Sequence, residues 1–127
     1  MAVELNHTIV HARDAEASAR FLSEILGLDP PRRFGPFAVV DVANRVSLDF
    51  LTTDEDIAIE HYAFLVSEAE FDQIFGRLQE RRLDYWADPR LSRKDEINRH
   101  DGGRGCYFKD PSGHYLEIIT RPYGSGG

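Results

Sequence analysis

Cysteine is almost missing from this chain: Cys106 is the single one among 127 residues. That excludes an internal disulfide and fits a reducing compartment. Cations are outnumbered, with 15 Lys and Arg against 22 Asp and Glu and a formal net charge of −7. Nucleic-acid binding needs a basic patch, so no nucleic-acid partner is expected. No apolar run approaches the ~20 residues that span a bilayer, and no membrane partner is expected either. The opening stretch MAVELNHTIV has neither the basic start nor the apolar run of a secretory signal. The expected setting is therefore cytoplasmic. The closing YGSGG lacks anything to pack, and 123–127 reads as a frayed tail.

What is present is the composition of a globular protein, 42% apolar and 29% charged, at a length that suits one domain. The chain is written twice. NHTIVHARDAEAS (6–18) aligns with EHYAFLVSEAEFD (60–72) when His7 is set on His61, an offset of 54 residues. Each copy is a β-patterned run with a histidine near its start, followed by a helix signal. Asp14 is the expected N-cap of the first helix, Phe21, Leu22, Ile25 and Leu26 its buried stripe, and Gly27 its stop. In the second copy Ser67 and Glu70 form a capping box ahead of Phe71, Ile74, Phe75 and Leu78.

β-like sequence follows each helix. FAVVDV and RVSLDFL flank a turn in the first half; LDYWA, RGCYFKD and HYLEIIT occupy the second, where Asp-Pro-Ser-Gly at 110–113 reads as a type I turn. Each half is therefore expected to run β-α-β-β-β, one over about 4–52 and the other over about 58–120, with 53–57 as linker. The expected class is α+β: two βαβββ modules side by side, forming an open, partly closed mixed-sheet cleft with helices outside. The charged segment 88–105 is the main asymmetry and reads as a surface loop.

Side chains alternate along a strand. His7 then shares a face with Ile9 and His11, His61 with Ala63 and Leu65, and Glu117 with Tyr115 and Ile119, while Leu116 and Ile118 point to the helix. Asp49 occupies in the first half the place of Glu117 in the second. His114, three residues before Glu117, falls on the opposite face. Two histidines and one or two carboxylates on strand interiors make a plausible divalent-metal set. Taken one at a time, each is better explained as a hydrogen-bonded core histidine or an ion-paired acid; at matching positions of the two halves the joint signal is much stronger.

The doubled plan with these residues resembles the vicinal oxygen chelate superfamily, which includes glyoxalase I, extradiol dioxygenases, fosfomycin-resistance thiol transferases and bleomycin-binding proteins. The resemblance runs from Glu4 to about Thr120, and it makes residues 1–127 a single domain of that kind. EHYAF and YFKDPSGHYLE look like segments of the thiol transferases. The resemblance implies metal ligands His7, His61 and Glu117, no bound organic cofactor, and a homodimer. The implied cofactor is a divalent ion, with Fe(II) favoured over Mn, Ni or Zn, and the implied partner is a small-molecule substrate with two adjacent oxygens.

Asn98-x-His100, then Cys106-Tyr107-x-x-Asp110-Pro111-x-Gly113 and Glu117, is similar to the extradiol signature, and assigns His100 and Tyr107 to the substrate's flanks as catalytic groups. Asp49 resembles the fourth ligand of glyoxalase I, one methylene shorter, and is the third catalytic candidate. An extradiol-type dioxygenase is thus the first expectation and a glyoxalase-like lyase or isomerase the second. A thiol transferase using Arg93, Lys94, Arg99, Arg104 or Arg121 is the third. A metal-free protein that sequesters an antibiotic is the alternative of a different class.

Overall fold

Alternation of apolar and polar residues in HTIVHA, followed by a capping acid, sets up the first strand and helix, and the computed structural model, which describes residues 2–126, bears this out. The chain divides into two compact units between Ala58 and Ile59.

The first unit contains β1 (His7–Ala12), α1 (Ala15–Leu26), β2 (Arg32–Phe34), β3 (Phe37–Asp41) and β4 (Ser47–Thr52). Its sheet runs β1-β4-β3-β2, with β1 and β4 parallel and the other pairs antiparallel. The Asp14 side chain accepts from the Ala17 N–H at 3.1 Å, and Gly27 closes α1 at φ 73°, a conformation that a Cβ would strain. Against the sheet α1 buries Ala15, Ala19, Leu22 and Ile25, while Phe21 and Leu26 are only half-buried. The stripe is rotated toward the alanines because their small side chains let the helix lie close to Val10, Val40, Leu48 and Phe50.

The second unit contains β5 (His61–Leu65), α2 (Glu68–Glu80), a 3₁₀ turn (His100–Gly102), β6 (Gly105–Lys109) and β7 (Tyr115–Ile119). The sheet order is β5-β7-β6, with β5 parallel and β6 antiparallel to the central β7. The expected capping box is complete: Glu70 N–H donates to Ser67 Oγ at 3.0 Å, and Ser67 N–H to Glu70 Oε1 at 2.8 Å. Phe71, Ile74 and Leu78 on α2 are buried, as are Cys106, Phe108, Leu116 and Ile118 on the sheet. Burial, and then the charge of Glu117, pushes the Cys106 thiol up to about 12, so it is a packed side chain and not a nucleophile.

The α+β class and the two-module plan hold. One element differs: LDYWA does not extend into a strand. Only Trp86 pairs, exchanging backbone hydrogen bonds with Tyr107 at 2.9 and 2.8 Å and bridging to Lys94. The reason lies just beyond it. The Asp88 carboxylate accepts from the backbone N–H groups of Ser92 and Arg93 at 3.0 and 2.8 Å, which turns the chain before a ladder can propagate.

The 88–105 segment is tied down from within. Asn98 exchanges backbone hydrogen bonds with Gly105, and its Nδ2 donates to the carbonyl of buried Ala87 at 2.9 Å. Asn98→Ala leaves that carbonyl without its donor, and a loss of about 1–3 kcal/mol is expected. An unfolding free energy from denaturant titration lowered by less than about 0.5 kcal/mol would show that the Asn98 amide does not anchor this segment.

Candidate metal centre

Glu117 stands on the central strand of the second sheet, opposite Ala63 of β5 and Tyr107 of β6. Its side chain is 1% exposed, which is expensive for a carboxylate unless every lone pair is engaged. The register explains how it is reached. The Asp110–Gly113 turn closes with Gly113 N–H to Asp110 C=O at 3.0 Å, as a type I turn does, and Gly113 takes φ 93°. The Asp110 side chain accepts from the N–H groups of Ser112 and His114 at 3.0 and 2.9 Å, which starts β7 with Glu117 on the face away from α2.

His114 is placed on the other side, as alternation requires. It is fully buried, and its Nδ1 accepts from the Glu60 N–H at 3.0 Å, so it is a neutral, satisfied core histidine. Tyr62 packs edge-on against it at 6.0 Å.

His61 does meet Glu117: its Nε2 lies 2.8 Å from Glu117 Oε1. A carboxylate only accepts, so Nε2 carries the proton in this pair. The same nitrogen and oxygen are the donors that a divalent ion takes on releasing that proton. The imidazole is 45% exposed while its carboxylate partner is buried, so the pair is open on the histidine side.

Tyr107 lies beside them, its ring centroid 5.6 Å from that of His61. Burial, reinforced by the negative charge of Glu117, raises its hydroxyl above the usual phenol range. His100 sits in the 3₁₀ turn, exposed, with its ring 6.1 Å from that of Tyr123. Tyr123 is the residue that sequence reasoning missed. Assigned there to a fraying tail, it donates its hydroxyl to Glu117 Oε2 and lies 3.2 Å from the Tyr107 hydroxyl. Strand periodicity had no hold on it, because it follows a proline in an irregular glycine-rich stretch.

The other two candidates belong to the first unit. His7 and Asp49 line one cavity of about 310 Å³ with Ile9, Phe34, Phe37 and Val39. His7 Nδ1 is 2.8 Å from Asn6 Oδ1, an oxygen that only accepts. Asp49 accepts from Ser47 Oγ at 2.7 Å. Among the described residues no three His, Cys, Asp or Glu side chains gather at one point to hold a metal ion. The two donors brought together are His61 and Glu117.

Several of the cations considered for an anionic substrate are occupied. Arg93 pairs with Glu96 at 3.0 Å and Lys94 with Asp84 at 3.3 Å. Arg104 pairs with Glu68 and Asp72, each at 2.8 Å, and lies 4.4 Å over the ring of Phe71.

Among the described residues no helix is long and apolar enough to cross a membrane.

The structure of oxidase ChaP-H1 superposes with a TM-score of 0.96, covers 98% of this chain and 100% of its own, and is 64% identical. Glutathione transferase FosA of Serratia marcescens is 28% identical over 124 residues, covering 93% of this chain and 81% of its own length. Metallothiol transferase FosB of Lysinibacillus sphaericus (strain C3-41) is 29% identical over 121 residues, with 91% and 81% covered. Residues 4–118 match the model of the Glyoxalase/Bleomycin resistance protein/Dioxygenase superfamily, and the chain belongs to that family.

Proposed function

We propose that this protein is a metal-dependent enzyme that takes two adjacent oxygens of a small-molecule substrate at a divalent ion, and that its reaction is an extradiol-type oxygenation. The observation that carries the reading is the His61–Glu117 pair at 2.8 Å, with the Tyr123 hydroxyl on the other carboxylate oxygen and the Tyr107 hydroxyl 3.2 Å from that of Tyr123. An imidazole nitrogen and a carboxylate oxygen are the donor chemistry of Fe(II), Mn(II), Ni(II) and Zn(II) sites. The proposed ligands are His61 and Glu117, the two donors brought together, with His7 proposed as the third by the resemblance to the vicinal oxygen chelate superfamily. When bound, the ion supplies Lewis acidity to the substrate oxygens.

The chain's own residues then have separate tasks. Glu117, itself 1% exposed, brings negative charge to offset that of a cation. Tyr107 presents an O–H to oxygen atoms that gain negative charge during the reaction. His100, exposed on its turn, takes the proton-steering task at the substrate's flank in this reading. The 64% identity to a protein described as an oxidase supports a reaction that consumes oxygen.

Thiol transfer is the second reading, supported by the FosA and FosB relatives. It is the weaker one, because three of the five cations it could use for an anionic substrate are already matched to carboxylates. An isomerase reading rests on Asp49 as a further ligand.

The test is metal content after purification without chelator, wild type against His61→Ala, followed by oxygen uptake with a panel of catechols on anaerobically Fe(II)-loaded protein. Metal in the wild type that is lost in the variant, with oxygen consumed in step with catechol, is expected. A wild type that takes up none of the four ions sinks the metal reading, and turnover that persists without oxygen sinks the dioxygenase reading.

A further inference from the structure

The two oxygens of Glu117 have different partners. Oε1 faces His61 Nε2 at 2.8 Å, whereas Oε2 accepts from the Tyr123 hydroxyl. Tyr123 lies beyond the last strand and returns over the sheet, so that its hydroxyl also comes within 3.2 Å of that of Tyr107.

Its approach is held by a second segment. Asp101, in left-handed backbone at φ 56° within the 3₁₀ turn, accepts from Gly124 N–H at 3.0 Å through Oδ2 and from Gly126 N–H at 3.4 Å through Oδ1. The turn that presents the His100 ring to Tyr123 is thus the turn that anchors the segment carrying Tyr123. Tyr123 itself is 50% exposed and adds little to the core. Its hydroxyl nonetheless reaches a carboxylate that is 1% exposed. A contact of that kind contributes more to the orientation of the acid than to packing.

We infer that Tyr123 is a positioning residue for Glu117: it engages Oε2 and so presents Oε1 alone as the metal-directed donor. The inference rests on the reading of Glu117 as a ligand. A carboxylate that offers one oxygen, with the other fixed by a hydrogen bond, leaves more coordination positions for a two-oxygen substrate. A partner of this kind also fixes the ligand's orientation before the ion arrives, and removing one typically costs about 10–100-fold in metal affinity.

The experiment is Mn(II) titration calorimetry on the full chain for the wild type, Tyr123→Phe, Asp101→Ala and His61→Ala, with metal-free melting temperatures alongside. Phenylalanine keeps the ring and deletes only the hydroxyl. Tyr123→Phe is expected to bind Mn(II) roughly 10–100-fold more weakly, with the metal-free melting temperature lowered by no more than the loss of one hydrogen bond to Glu117 brings. Asp101→Ala, which frees the anchor but keeps the phenol, is expected to fall between it and the wild type. Wild-type affinity in Tyr123→Phe alongside loss in His61→Ala overturns the inference and leaves the metal reading standing. Wild-type affinity in both removes the metal reading and the inference with it. A melting temperature that falls in step with affinity in Tyr123→Phe assigns the residue a merely structural role and overturns the inference too.

Discussion

Glu117→Gln is expected to lose metal binding by more than the roughly 10–100-fold typical of a supporting contact, while the metal-free protein melts at the wild-type temperature or above it. The two effects have opposite signs because the carboxylate does two opposed things. It neutralises a cation at close range, which an isosteric amide does not. It also has to be taken out of water, at 1% exposure, when the chain folds. A neutral group of equal volume relieves that penalty, and the amide oxygen still accepts from one of the two donors, His61 Nε2–H or the Tyr123 hydroxyl. Metal titration and thermal melting of the same variant check both halves. A variant that melts well below the wild type, yet keeps its affinity, would make Glu117 a structural acid and not a ligand.

Phe71→Ala is expected to cost about 3–5 kcal/mol, a large share of the roughly 5–15 kcal/mol that holds a domain of this size together. Phe71 is fully buried on α2, stacks at 5.8 Å on Phe75, and carries the Arg104 guanidinium 4.4 Å over its ring. Alanine opens a cavity under the second sheet and removes the surface on which Arg104 lies. The guanidinium then loses its stacking partner, although its pairs with Glu68 and Asp72 persist. Phe71→Leu keeps most of the volume and should cost a fraction of this. Chemical denaturation of both variants checks the prediction, and equal losses for Ala and Leu would show that volume is not what Phe71 contributes.

The parts of the fold that were legible in the sequence are those set by neighbours along the chain. Asp14 and Gly27 bound α1 and the Ser67–Glu70 box starts α2 because caps act within four residues. The Asp-Pro-Ser-Gly turn is equally local. Strand alternation separated Glu117 from His114 because a two-residue period leaves no choice of face once one face packs on a helix. The stripe on α1 was legible only in part: periodicity found the face, but the depth of Phe21 and Leu26 depends on how closely the alanines let the sheet approach.

The losses share one cause. Trp86 pairs in isolation because the Asp88 carboxylate turns the chain two residues later, and no β-propensity in LDYWA registers a competing side-chain bond outside it. Asn98, which stands in the extradiol-like pattern without a role of its own, is buried and donates to the Ala87 carbonyl, a partner that the pattern does not give.

By itself the sequence determined a duplicated α+β plan, two capped helices, and the placing of His7, His61 and Glu117 on strand faces away from the helices, since each of these follows from interactions a few residues long. Tertiary structure alone decided that His61 meets Glu117, that Tyr107 and Tyr123 close over the same carboxylate, and that Asp101 anchors the segment bringing Tyr123 there. Those contacts join residues 56, 16 and 23 positions apart, and at such separations the partner of a side chain is set by strand register and loop closure, which no local pattern encodes.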